Sequence, residues 1–125
     1  MIVLDSSAIL AALLGENGAD RVEAVIEESV ISSVNAAEVI TKLIDKGIPR
    51  DEVHARFQEL RLESVPFDEN LAIATGFLRS LTSHKGFSLG DRACLALAIR
   101  EDATAMTADR HWADLDLGCK IEVIR

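Results

Sequence analysis

The chain of 125 residues has no tyrosine and a single tryptophan, Trp112, so stacking of bases on an aromatic platform is not supported. It has two cysteines, Cys94 and Cys119, and they do not form a C-x-x-C pair. That argues against a disulfide framework or a zinc cluster and predicts reduced thiols in a cytoplasmic protein. His54, His84 and His111 include no pair four residues apart, which argues against a histidine-based metal site. Positive charge is also scarce. Thirteen Lys and Arg face 21 Asp and Glu, for a net charge of −8. This excludes tight, sequence-blind capture of nucleic acid on a basic surface. The longest apolar run, Ala8 to Leu14, is far too short to span a membrane. The opening Met1-Ile2-Val3-Leu4-Asp5 lacks the basic segment of a signal peptide. Repeats, low-complexity tracts and Pro/Gly-rich linkers are absent, so a single domain over 1–125 is expected.

What is present is ordinary globular material, 49% apolar and 27% charged. A chain of this length buries about two-thirds of its unfolded surface and needs no staples to fold. Ile2-Val3-Leu4 reads as a buried parallel strand. Ser6 or Ser7 can cap a helix over Ala8–Leu14, stopped by Gly15. Val22, Val25 and Ile26 mark a helix over Ala19–Glu28. Val30–Val34 is a second strand, after which Asn35 caps a helix to Lys46, with Gly47 as its stop. Pro49 opens a helix to about Leu62. Glu63–Phe67 is a third strand, and Asp68 caps a helix to about Leu81. A polar loop, Thr82–Phe87, precedes a long helix from Ser88 to Arg100. Ala103–Thr107 and Ile121–Ile124 are the last strands, separated by a loop with a short helical turn at Asp109–Ala113. Strands alternate with helices throughout. The expected fold is α/β, with a central parallel sheet of about five strands and helices on both faces.

In such sheets ligands bind outside the carboxyl ends of the strands. Asp5 ends the first strand and Asp109 follows the fourth. Glu38 lies early in the helix after the second strand, and Asp91 lies in the first turn of the helix opened by Ser88. All four acids fall at one predicted edge. Their mutual repulsion calls for a positive charge, and a hard divalent cation with oxygen ligands supplies one. Each acid also has a plain structural reading. Asp5 can cap a helix, and Asp91 fits a loose capping box with Ser88. Glu38 can favour a helix dipole, and Asp109 can form a turn. The residues alone leave both readings open.

The sequence resembles the PIN-domain ribonucleases and, within them, the VapC-type toxins of bacterial toxin–antitoxin pairs. Four ordered segments carry the resemblance: Val3-Leu4-Asp5-Ser6-Ser7-Ala8, Asn35-Ala36-Ala37-Glu38-Val39, Ser88-Leu89-Gly90-Asp91-Arg92-Ala93-Cys94, and Thr107-Ala108-Asp109-Arg110-His111-Trp112. The third is the most specific. The resemblance implies a PIN-like fold and an endoribonuclease dependent on Mg²⁺ or Mn²⁺. Asp5, Glu38, Asp91 and Asp109 then form the acidic quartet that holds metal and performs catalysis, with Ser7 and Thr107 as supporting hydroxyls. It also implies a homodimer and a small VapB-like antitoxin whose C-terminal segment covers the site.

Other residues carry weaker expectations. Arg92 and Arg110 each follow a quartet acid, and Lys42 lies one turn after Glu38. They can contact phosphate, pair with the acids, or simply be solvated. Lys85 and His84 are expected to be ordinary loop residues. His111 is a candidate proton carrier. Trp112 is expected as a core or interface anchor. Asp114 can share the role of Asp109, but its position five residues on favours a solvent-facing role. The apolar stripe Val53, Phe57 and Leu60 can pack internally or belong to a partner groove. Two rival classes remain: a non-catalytic α/β binding module, and a receiver-like phospho-acceptor with an acidic Mg-binding edge. The latter wants a lysine at the end of the last strand, whereas Lys120 precedes it. An aspartyl-nucleophile phosphatase wants a second Asp where Ser7 stands.

Overall fold

The computed structural model describes residues 1–125. Strand β1 (Ile2–Leu4) runs through the middle of a five-stranded, all-parallel sheet. It pairs with β2 (Ser29–Ser32) on one side and β4 (Thr104–Thr107) on the other. The edges are β3 (Glu63–Val65) and β5 (Ile121–Val123), giving the order β3-β2-β1-β4-β5. A central parallel strand is covered on both faces, which explains why Ile2-Val3-Leu4 is apolar without alternation.

The pleat sorts residues into two cores. Leu4, Ile31 and Met106 face one way and pack with Ile9, Val22, Val39, Leu43 and Val53. These come from α1 (Ser6–Leu14), α2 (Ala19–Val25), α3 (Ser33–Asp45) and α4 (Arg50–Glu59). Val3, Val30 and Ala105 face the other way and pack with Leu71, Leu95, Leu97 and Trp112. That side is covered by α5 (Glu69–Phe77), the short α6 (Arg79–Thr82) and α7 (Leu89–Arg100). Each fully buried aliphatic side chain contributes about 1.5–3 kcal/mol of transfer free energy. Helices on both faces of a parallel sheet are the expected architecture.

Several boundaries move for local reasons. The second strand stops at Ser32, because Ser32 Oγ accepts from Val34 N–H and itself caps α3. Asn35 is therefore inside the first turn, not the cap. The helix after Asp68 breaks at Leu78, and the expected loop from Thr82 instead begins as the end of α6 and a 3₁₀ turn, Ser83–Lys85. Thr82 is buried there and donates to Leu78 O at 2.8 Å, satisfying its hydroxyl within the turn. The chain moves from β1 to β2 on one side and returns to β4 on the other. The carboxyl ends of β1 and β4 therefore flank the switch-point crevice.

Candidate active site

Asp5 is the first residue past β1, and its N–H still pairs with Met106 O of β4 at 3.0 Å. Its side chain turns inward, and the residue is only 3% exposed. Oδ1 accepts from Ala8 N–H at 2.8 Å and from the Ser7 hydroxyl at 2.7 Å. Oδ2 accepts from the Thr107 hydroxyl at 2.5 Å. Asp5 is thus the N-cap of α1 as well as a member of the edge. Burial pushes its pKa from the ordinary 3.8 up to about 6, against the lowering effect of those three hydrogen bonds. The negative charge of Asp91 adds to the rise. Asp5 forms no ion pair with any Lys or Arg, so the chain provides a buried carboxylate without its own counter-charge.

Ser7 and Thr107 knit the start of α1 to the end of β4. Ser7 Oγ accepts from Ala108 N–H at 2.9 Å and lies 3.3 Å from Thr107 Oγ1. Thr107 Oγ1 in turn accepts from Asp109 N–H at 3.0 Å. This places Asp109 beside Asp5 through one hydroxyl. Asp109 Oδ1 accepts from His111 N–H at 2.9 Å, capping a 3₁₀ turn over Arg110–Trp112, and lies 3.0 Å from His111 Nδ1.

Glu38 reaches the same edge from α3. Its Oε1 accepts from the Ser6 hydroxyl and from Asn35 Nδ2, both at 2.9 Å. Asn35 Nδ2 also donates to Gly90 O at 3.1 Å, joining α3 to α7. Gly90 is required by close approach: a Cβ there would stand 2.2–2.4 Å from the atoms of the Glu38 carboxylate. Glu38 therefore lies against the residue before Asp91. Asp91 makes the reciprocal capping box, accepting from Ser88 N–H at 2.9 Å while its own N–H donates to Ser88 Oγ at 3.2 Å.

Capping therefore does not take the acids off the edge. Asp5, Asp91 and Asp109 each spend oxygens on a helix cap and each remain on the edge. As the side chains lie, no three acidic, histidine or cysteine side chains make a closed ligand set. The donor chemistry nonetheless fits a hard divalent cation. Every candidate donor is an oxygen, and the buried carboxylate lacks a counter-charge. Asn35 Oδ1 is buried beside Glu38 with no hydrogen-bond partner. Mg²⁺ takes only one or two direct carboxylates and keeps several waters, so a closed cage is not needed.

Of the basic residues, Arg92 is aimed elsewhere: its Nη1 donates to Thr75 O of α5 at 3.1 Å. Arg110 is exposed and lines a cleft of about 480 Å³ with Ser7, Ala108, Asp109, His111 and Arg125. Lys42 lines a separate hollow with Glu38 and Gly90. Lys85 pairs with Asp114 at 2.6 Å, and that contact holds the exposed Asp114 carboxyl below its usual range. Asp114 is therefore not part of the Asp5–Thr107–Asp109 network. Trp112 is wholly buried against Phe87, with ring centroids 5.4 Å apart, which makes it a core anchor. Val53, Phe57 and Leu60 pack internally, while Ile40, Ile44, Arg50, Val53 and His54 line a groove between α3 and α4. Cys94 and Cys119 are free thiols, and burial raises both. No helix is long and apolar enough to cross a membrane.

Asn35, Gly90 and Arg125 carry no sequence signal of their place at the site. Asn35 and Gly90 lie close to Glu38 and Asp91 in the sequence, but their roles depend on how α3 meets α7.

The PIN-domain family profile matches residues 2–117, and the chain belongs to that family. No curated protein matches it significantly. Among solved structures it is similar to DNA-bound VapBC from Salmonella typhimurium, with a TM-score of 0.76 and 22% identity, covering 99% of this chain and 98% of that one. It is also similar to VapBC2 from Rickettsia felis bound to a promoter DNA fragment, at TM-score 0.74 and 21% identity, with 98% of each chain covered. VapBC-5 from Mycobacterium tuberculosis, a member of the VapBC toxin–antitoxin family, gives TM-score 0.64 and 25% identity over 98% of this chain and 96% of that one.

Proposed function

We propose that this chain is a single PIN-like nuclease domain over 1–125, a metal-dependent endoribonuclease that hydrolyses RNA phosphodiester bonds. It would act in the cytoplasm as the toxin of a type II toxin–antitoxin pair. The observation that carries the reading is the buried Asp5 carboxylate at the switch point, without a counter-charge and tied through Thr107 to Asp109. Membership of the PIN family and likeness to VapBC complexes support it.

Asp5, Asp91, Asp109 and Glu38 would hold Mg²⁺ or Mn²⁺. When bound, that ion supplies Lewis acidity and lowers the pKa of water. Ser7 and Thr107 fix the Asp5 carboxylate from both sides. Glu38, held by Ser6 and Asn35, would be a metal ligand or would orient a water. A homodimer and a small VapB-like antitoxin belong to the same reading. Two uncovered apolar surfaces are available to such partners: the α3–α4 groove with Ile40 and Ile44, and the stripe Ile73, Phe77, Leu81 on α5 and α6.

The test is cleavage of RNA by purified protein with Mg²⁺ or Mn²⁺. Cleavage should vanish in EDTA and in Asp5→Asn or Asp91→Asn, while circular dichroism shows an intact fold. Undiminished cleavage in EDTA refutes the reading. Growth arrest on expression, relieved by co-expressing a neighbouring small open reading frame, tests the toxin role.

A further inference from the structure

Residues 122–125 are fastened to the turn between α1 and α2 and to the start of α2. Arg21 Nη1 donates to Val123 O at 3.0 Å, and the same guanidinium pairs with Glu122. Gly18 sits in the left-handed region at φ +93, and a Cβ there would be 2.7 Å from Ile124 O. The two backbones meet only because that residue is glycine. Ile124 N–H donates to Thr107 O at 2.9 Å, carrying the chain past the candidate site. Arg125 Nε then donates to Asn17 O at 3.2 Å, and its Nη2 pairs with Glu16 at 3.1 Å. These contacts fix Arg125, which lines the cleft with Ser7, Asp109, Arg110 and His111, and leave its Nη1 unbonded.

Arg110, in the same cleft, makes no hydrogen bond or ion pair through its guanidinium. Glu16 offsets part of the Arg125 charge but also fixes the plane of its fork. Asp109 is the acid in the cleft, and His111 is turned onto it. A protein of charge −8 repels a polyanion over most of its surface. Arg110 and Arg125 line one cleft with Asp109 and Ser7, and permanently charged guanidinium groups are suited to phosphate oxygens, which they can meet in a bidentate manner.

We infer that Arg110 and Arg125 form a phosphate-binding subsite, holding the RNA phosphodiester next to the one cleaved at the carboxylate edge. This rests on the ribonuclease reading and adds to it the residues that position the strand. The clamp built by Gly18, Arg21 and Ile124 keeps Arg125 in place.

The test is salt-dependent binding of a labelled single-stranded RNA to Asp5→Asn protein, which should not cut it. Each phosphate contact contributes about −0.7 to the slope of log affinity against log salt for a single strand. Arg110→Gln and Arg125→Gln should each flatten the slope by about 0.7, and Arg125→Lys should restore most of it. In otherwise native protein with metal, both Gln variants should raise KM several-fold and change kcat less. Arg79→Gln, an exposed charge lost from α6, should leave slope and KM unchanged. The inference is overturned if the Arg110 and Arg125 variants keep the parent slope, or if Arg79→Gln flattens it equally. Arg110 has no partner in the protein, so its variant carries the test even where Arg125→Gln loosens the clamp. Loss of cleavage in Asp5→Asn with unchanged arginine slopes overturns the subsite alone. Cleavage that survives Asp5→Asn overturns the ribonuclease reading and the subsite with it.

Discussion

Replacing Asp5 with Asn removes a buried charge while keeping the side-chain shape. The Asn oxygen can still accept from Ala8 N–H and Ser7, and its amide can face Thr107 Oγ1, which has acceptor capacity to spare. The native carboxyl titrates at about 6 instead of the ordinary 3.8. A gap of about two pH units corresponds to roughly 3 kcal/mol. Below both values the residue is protonated in folded and unfolded chains and contributes no pH dependence. As pH rises through 3.8 and on to about 6, the unfolded chain releases its proton first, so wild-type stability falls across that window. Above about 6 the deficit is complete. Urea unfolding of both proteins in EDTA, from about pH 4 to about pH 7, should show the Asn variant gaining up to roughly 3 kcal/mol on wild type. For a chain this size that is a melting difference of roughly 10 °C. Carboxylates remote from Asp5 cancel in the comparison; Asp91, whose charge acts on Asp5, contributes through that coupling. Adding Mg²⁺ at about one hundred times its dissociation constant should return roughly 2.7 kcal/mol to wild type and little to the variant. A stability difference that stays flat with pH, or wild type gaining on the variant as pH rises, would refute the reasoning.

Three further outcomes are expected. Gly90→Ala should drive the Glu38 carboxylate off Ser6 and Asn35. RNA cleavage should fall by about 100-fold while the melting temperature moves little, because the displaced atoms are the end of a flexible side chain. Trp112→Ala opens a cavity beside Phe87 and should cost roughly 3–5 kcal/mol in denaturant unfolding. The Cys94 thiol, fully buried with its Sγ 3.9 Å from Val3 O, should react with a thiol reagent only on unfolding. Reaction at the rate of a free thiol in the native protein would contradict the packing.

The strand–helix alternation, the parallel sheet and the edge on which the acids fall were legible in the sequence. They follow from local signals: an apolar triplet ending in Asp5, capping residues such as Asp68 and Ser88, and stop glycines such as Gly15. What failed to show depends on contacts between distant segments. Asn35 looks like a cap because its residue type favours caps, yet Ser32 caps the helix and Asn35 bridges Glu38 to Gly90. Arg92 sits beside Asp91 in sequence but points to Thr75, since direction on a helix is set by what packs against it. Arg125 carried no motif at all. Its position depends on Gly18 and Arg21, more than 100 residues earlier. The negative charge, which first argued against nucleic acid, excludes only a broad basic surface. Arg110 and Arg125 occupy one cleft beside the acids, and that is a local arrangement the total cannot show.

Anomalous diffraction from crystals grown with Mn²⁺ tests the carboxylate edge as a metal centre most directly. The expected result is a Mn²⁺ peak bonded to Asp5 and to at least one of Asp91 and Asp109, lost in Asp5→Asn crystals. A protein that cleaves RNA in Mn²⁺ but shows no peak at this edge would contradict the assignment of these four acids.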